Sequence, residues 1–149
     1  MTRSDTCADG TRAVTACPLC STAAEPVLWS GSRCRVIAAE EPGYAGYCRV
    51  IWNDHVAEMT DLSIPDRGHF MNVVWAVEEV LRELTRARKI NLASLGNYIP
   101  HLHWHVIPRF ADDRHFPEPI WGRPQRAGID HPVDRARLRE ILKLRLAAI

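Results

Sequence analysis

His101-Leu102-His103-Trp104-His105-Val106-Ile107 holds no Gly or Pro, and Pro100 and Pro108 stand on either side of it. Such a run reads as a β-strand. Side chains alternate between the faces of a strand, so Leu102, Trp104 and Val106 are expected to enter a core. His101, His103 and His105 then form a row on the opposite face. Neighbours in such a row lie ~6–7 Å apart, so at least two imidazoles reach one bound group. A lone strand histidine would read as a partly solvated sheet residue. Three in strict alternation, separated by large apolar residues, read as one wall of a cleft. Two chemistries suit that wall. Neutral imidazole is a good zinc ligand, and histidine serves phosphoryl transfer as nucleophile or as acid and base near pH 7.

Upstream, Asn91 to Pro100 reads as an apolar strand that runs into a turn containing Gly96 and the amide of Asn97. With this lead-in the motif resembles that of the histidine triad (HIT) superfamily of nucleotide hydrolases and transferases. Its hallmark is His-x-His-x-His followed by two apolar residues, with x apolar; Leu102, Trp104, Val106 and Ile107 fill those places. The resemblance spans roughly Cys17 to Arg109. It implies an α+β, HIT-like fold: an antiparallel sheet of about five strands, a long helix packed on it and a C-terminal helix. The order of elements along the chain argues for the same class, because a run of hairpin, strand, helix, strand, strand places helices mainly on one side of an antiparallel sheet.

The resemblance also assigns roles. The family's nucleophile is the middle histidine, here His103, which attacks the α-phosphorus of a nucleotide to form a covalent nucleotidyl-histidine. His105 then contacts the leaving group or a phosphate oxygen, and Asn97 contacts phosphate or leaving group. Nucleotide-binding positions carried over in the same way are Asn91, Asn97, His105 and Glu40, although by count the family's ribose-binding acid falls at Ala39. Some relatives hold structural zinc with an N-terminal Cys-x-x-Cys, a histidine after the second long strand and the first histidine of the triad. Those positions are Cys17, Cys20, His55 and His101, a closed Cys₂His₂ set. Taken alone, Cys17-Pro18-Leu19-Cys20 is ambiguous between half a zinc site, a redox pair and chance. No cofactor is required for the chemistry itself. Two departures stand out: Gly46-Tyr47 where the family has Gly-His, and Trp52-Asn53-Asp54-His55 where it has Pro-x-x-His.

The rest of the chain frames this reading. Its 149 residues suit one domain over 16–149, preceded by a polar segment at 1–15 expected to be disordered. Hydrophobic content of 46% and charged content of 25% are those of an ordinary globular protein. A formal net charge of +1 gives no reason to expect nucleic acid or an anionic membrane as partner. Five cysteines, an odd number, with no secretion signal favour a cytoplasmic location over a disulfide framework. Strands are expected over 26–29, 33–39, 47–52 and 89–95, with a turn at Ser30-Gly31-Ser32. A long helix is expected after an N-cap at Ser63, with Pro65 in its first turn and Phe70, Val73, Val74, Val77, Val80, Leu81 and Leu84 as its apolar stripe. Trp75 falls off that stripe and is free to meet a second copy, since histidine triad proteins commonly pair as homodimers through this helix and the neighbouring strand. Arg109 and His115 read as solvated side chains, and a last helix is expected over 133–146.

Two other functions stay open at this point. The triad could ligate a catalytic metal in a hydrolase, or the protein could bind a nucleotide without turning it over. The substrate is equally open between dinucleoside polyphosphates, nucleoside phosphoramidates and aminoacyl- or sugar-linked nucleotides.

Overall fold

The computed structural model describes residues 17–21 and 25–149; the segment 1–15 lies outside the described residues. Strands β1 (Val27–Ser30) and β2 (Cys34–Ala38) form a hairpin closed by the Gly31 N–H on the Cys34 carbonyl. Next come β3 (Cys48–Trp52), helix α1 (Ile64–Thr85), β4 (Lys89–Ala93), β5 (His103–Arg109) and helix α2 (Arg135–Leu146). The sheet has five strands in the order β1-β2-β3-β5-β4, and every pairing is antiparallel. The expected α+β architecture is therefore the observed one. Among the described residues no helix is long and apolar enough to cross a membrane.

Helix α1 begins where the capping signal places it. The Ser63 hydroxyl accepts the Asp66 N–H, and Pro65 occupies the first turn, where no backbone donor is needed. Its apolar stripe from Phe70 to Leu81 is buried against the sheet. Helix α2, N-capped by Asp134, joins it on the same side through Leu138, Leu142 and Leu146. Arg145 of α2 pairs with Glu79 and Glu83 of α1 on the exposed side of this layer. Both helices thus cover one sheet face, that of Val36, Val50 and Val106, and the other face is left for chemistry.

On that other face the β3–β5 register sets Arg49 opposite His105 and Ile51 opposite His103. Gly46 leads into β3 with φ of 84°, a left-handed conformation that favours glycine, and this turn aims Tyr47 onto the same face. The histidine strand is shorter than expected. It starts at His103, not His101, because the Leu102 N–H bonds the Val56 carbonyl and so leaves the ladder. The row of three becomes a pair on the strand plus one histidine at its foot.

Candidate functional site

Each histidine of the motif has a tautomer fixed by what surrounds it. His103 Nδ1 lies 2.6 Å from the His101 carbonyl oxygen, which can only accept, so Nδ1 carries the proton and Nε2 keeps its lone pair. His105 is the reverse. Its Nδ1 lies 2.5 Å from the Tyr47 hydroxyl. Burial holds that phenol above its ordinary pKa, against the opposing pull of Arg49, so its O–H is present. The neighbouring Arg49 can only donate to the phenol oxygen, which leaves the O–H free for His105. The phenol therefore donates to Nδ1, and His105 carries its proton on Nε2. The two rings stand edge to face with centroids 4.7 Å apart. Neighbouring imidazoles on one wall thus offer one free lone pair and one N–H.

Burial favours the neutral form of both rings. Burial lowers the pKa of His103, and Arg49 adds to the effect against the hydrogen bond to the His101 carbonyl. Burial lowers His105 further, to about 3, with help from His103 and Arg49. They face a cavity of about 580 Å³, within the range of small-molecule sites. Its other walls are Arg49, the turn Leu95–Ile99 that carries Asn97, and Trp121, whose indole meets the His105 ring edge-on at 5.1 Å.

His101 has left the row. It is fully buried, and its Nε2–H donates to the Trp52 carbonyl at 2.7 Å, which turns the Nδ1 lone pair toward the N-terminal cysteines. That nitrogen is 3.5 Å from both Cys17 Sγ and Cys20 Sγ, and His55 Nδ1 is 3.3 Å from Cys20 Sγ. All four ligand atoms lie within 4.8 Å of one another. A tetrahedral zinc with Zn–S of about 2.3 Å and Zn–N of about 2.0–2.1 Å holds sulfur and nitrogen roughly 3.5 Å apart, so the set fits such an ion. The carbonyl on His101 Nε2 is the kind of outer partner that orients a metal-binding imidazole. This cluster can hold a metal. The other two described cysteines, Cys34 and Cys48, are buried, which pushes each thiol up to about 12 and keeps it unreactive.

Beyond β5 the structure corrects the sequence reading. Arg109 is not solvated: it is 1% exposed. Its guanidinium donates twice to Asp113, at 2.7 and 3.0 Å, once to Asn91 Oδ1 and once to the Glu118 carbonyl. Asp113 also accepts the backbone N–H groups of Phe110, His115 and Phe116. Burial alone would raise its pKa, but Arg109 and the backbone donors hold it down at about 2. His115, also expected at the surface, is buried with its Nδ1 on the Tyr44 hydroxyl. Proline- and aromatic-rich sequence hid this arrangement, because nothing in a linear pattern says that Asp113 will turn back onto Arg109. The result is a latch that ties the segment after β5 to the sheet and delivers Trp121 to His105.

Of the residues expected at the site, the structure brings His103, His105 and Asn97 to one cavity and gathers Cys17, Cys20, His55 and His101 beside it. It does not bring Glu40 or Asn91 there. Glu40 pairs with Arg135 at the rim of a separate cavity, because the loop at 40–46 packs toward α2. Asn91 sits farther along the open face, occupied by Arg109. Sequence reasoning missed Arg49, Tyr47 as a partner of His105, and Trp121. An arginine inside the otherwise apolar run Cys48-Arg49-Val50-Ile51 was the available signal for the first.

An antiparallel sheet with both helices on one face and a histidine strand over a cavity on the other defines an α+β protein built to present imidazoles. The HIT domain family model matches residues 23–112, and the chain belongs to that family. Solved structures agree on the fold. A histidine triad protein from Bradyrhizobium japonicum is 25% identical, with a TM-score of 0.66 over 80% of this chain and 89% of its own. One from Marinobacter aquaeolei VT8 is 24% identical, with a TM-score of 0.65 over 82% of this chain and 88% of its own. A Zn-bound histidine triad family protein from Mycobacterium smegmatis is 20% identical, with a TM-score of 0.59 over 91% of this chain and 96% of its own. No curated protein matches the chain.

Proposed function

We propose that this protein is a nucleotide hydrolase or nucleotidyl transferase that works at the α-phosphorus through a covalent intermediate on His103. The observation that carries the reading is the opposed protonation of His103 and His105 on one cavity wall. Nε2 of His103 attacks phosphorus with its lone pair, and the bond from phosphorus to the leaving group breaks. His105 Nε2–H gives its proton to the departing atom as the Tyr47 O–H proton moves to Nδ1, so the ring stays neutral and the phenol takes the charge beside Arg49. A water then enters, loses a proton to Nε2 as Nδ1 returns its proton to Tyr47, and attacks phosphorus. The P–N bond breaks, its electron pair returns to His103, and both rings regain their starting tautomers. Asn97, on the cavity wall, would hold phosphate oxygens.

Cys17, Cys20, His55 and His101 would hold a structural zinc. Four protein ligands close its coordination shell, and its chemistry would be to tie the N-terminal segment to β3 and β5. A homodimer through α1 and the free edge of β4 accords with Trp75, which is half exposed on α1. The test is intact-protein mass spectrometry after brief incubation with adenosine phosphoramidate or diadenosine polyphosphate and a quench that avoids acid. A transient one-nucleotide adduct is expected, absent in His103→Ala. That variant should lose turnover by roughly 10³-fold or more while still binding nucleotide. Unchanged turnover removes His103 from the reaction.

A further inference from the structure

Three arginines point from the strands onto the open sheet face or its rim, and two of them have carboxylates. Arg35 is held by Glu25 at 2.6 and 2.8 Å, and Arg109 by Asp113. Arg49, between them, has no ion pair among the described residues. Its Nε is buried without a hydrogen-bond partner. Its guanidinium carbon lies 5.7 Å from the Tyr47 ring centroid, so the head group rests against the phenol that orients His105. It lines the cavity of His103 and His105. A buried donor with no acceptor is unfavourable, and more so on a cation. Its placement makes sense where a ligand brings the anion.

The register says which part of a ligand that is. Directly opposed residues of an antiparallel pair have Cβ atoms about 5 Å apart. His103 is opposed by Ile51, and His105 by Arg49. Arg49 is thus set opposite the histidine that serves the leaving group, with Ile51 opposite the nucleophile. Trp121 flanks that same histidine and is half exposed, with Tyr98 wholly exposed at the rim of the cavity. Both are flat surfaces for a group beyond the phosphates.

We propose that Arg49 binds a second anionic group of the substrate, the phosphate adjoining the reacting phosphorus, and so selects substrates whose leaving group carries its own phosphate. This rests on the reading of His103 and His105 given above. A guanidinium there offers two parallel donors to phosphate oxygens and stabilises the charge that gathers on the departing group. An amine or other uncharged leaving group receives no such help.

Steady-state kinetics of the full chain decide this, with diadenosine tetraphosphate and adenosine phosphoramidate as the paired substrates. Arg49→Met should lower kcat/KM for the tetraphosphate by roughly 10²–10³-fold, at least about tenfold more than for the phosphoramidate. Arg49→Lys should fall between, since an ammonium keeps the charge and loses the paired geometry. Equal losses on both substrates, or no loss on either, overturn the assignment and leave His103 standing as nucleophile. A second measurement needs no turnover. Calorimetry of the His103→Ala chain should show ADP binding at least about tenfold tighter than AMP, a preference that adding Arg49→Met removes. Equal affinities overturn the assignment. A preference that depends on Arg49 upholds it whether or not a covalent intermediate forms. Thermal melting of Arg49→Met and Arg49→Lys beside the parent separates misfolding from lost recognition.

Discussion

Two regions pin chain segments to the open sheet face on either side of the histidine pair, and they do so by different means. At one end Cys17, Cys20, His55 and His101 converge as soft and borderline ligands around a space that suits a tetrahedral metal. At the other, Arg109 and Asp113 form a buried ion pair saturated with backbone donors and a side-chain amide. The first clamp orients His101, whose carbonyl in turn sets the tautomer of His103. The second latch carries Trp121 to His105. Each imidazole is thus positioned from its own side. The lesson is that a short strand carrying two buried histidines is supported at both ends, by a set of side chains able to hold a metal on one side and a desolvated ion pair on the other.

The largest effect that separates the two is metal removal. The full chain should contain one zinc per polypeptide by elemental analysis. A strong chelator, or Cys20→Ser, should lower Tm by about 10–20 °C, because ligand binding to the folded state is folding free energy. A chain that holds no zinc and melts unchanged in chelator would make the cluster an ordinary cysteine–histidine contact and end the comparison.

Next comes the latch. Asp113→Asn leaves the Arg109 charge buried and uncompensated, which should cost about 3–5 kcal/mol in urea denaturation while zinc content stays the same. The pH dependence has a definite sign. Asp113 titrates at about 2 when folded, below the ordinary carboxyl value, so its contribution is fully present above about pH 4 and is lost as pH falls through 2. The parent should therefore lose stability more steeply than Asp113→Asn in acid. Parallel acid curves would show that the ion pair carries no such load.

The smallest change tests what fixes the proton of His105 between the two supports. Tyr47→Phe removes the O–H that fixes His105, at about 1 kcal/mol of stability. It should slow substrates with poor leaving groups by about tenfold or more and good ones much less, because only the former need the Nε2 proton. Tyr47→His, which restores a donor, should recover part of the loss. A uniform effect across leaving groups would reduce Tyr47 to packing.

How much of this was legible beforehand differs by residue. The cluster was readable because ligand types at family spacing carry their meaning in one dimension, and Cys17-Pro18-Leu19-Cys20 needs only its partners. His103 and His105 were readable because a strand's period of two makes alternation visible. Arg109 was not. Its strand parity with the histidines was clear, but burial depends on whether a counter-charge returns to it, and Asp113 does so through a turn of irregular backbone. Glu40 and Asn91 were taken as the nearest residues of the right type although the count was one residue off, and the structure sets Glu40 against Arg135 and Asn91 against Arg109.

The amino-acid sequence by itself determined the antiparallel sheet, the capped helix against it, the histidine strand and the cysteine–histidine set. The first three follow from local propensity and periodicity, which are properties of neighbours in the chain, and the last from the resemblance to the histidine triad family. Only the tertiary structure decided that His101 turns away from the row, that Tyr47 and a backbone carbonyl give His105 and His103 opposite tautomers, that Arg109 is buried, and that Arg49 faces the cavity without a counter-ion. Those outcomes depend on which groups from distant strands share a desolvated space, and the energy of a proton or a charge there is set by partners that the linear order does not name.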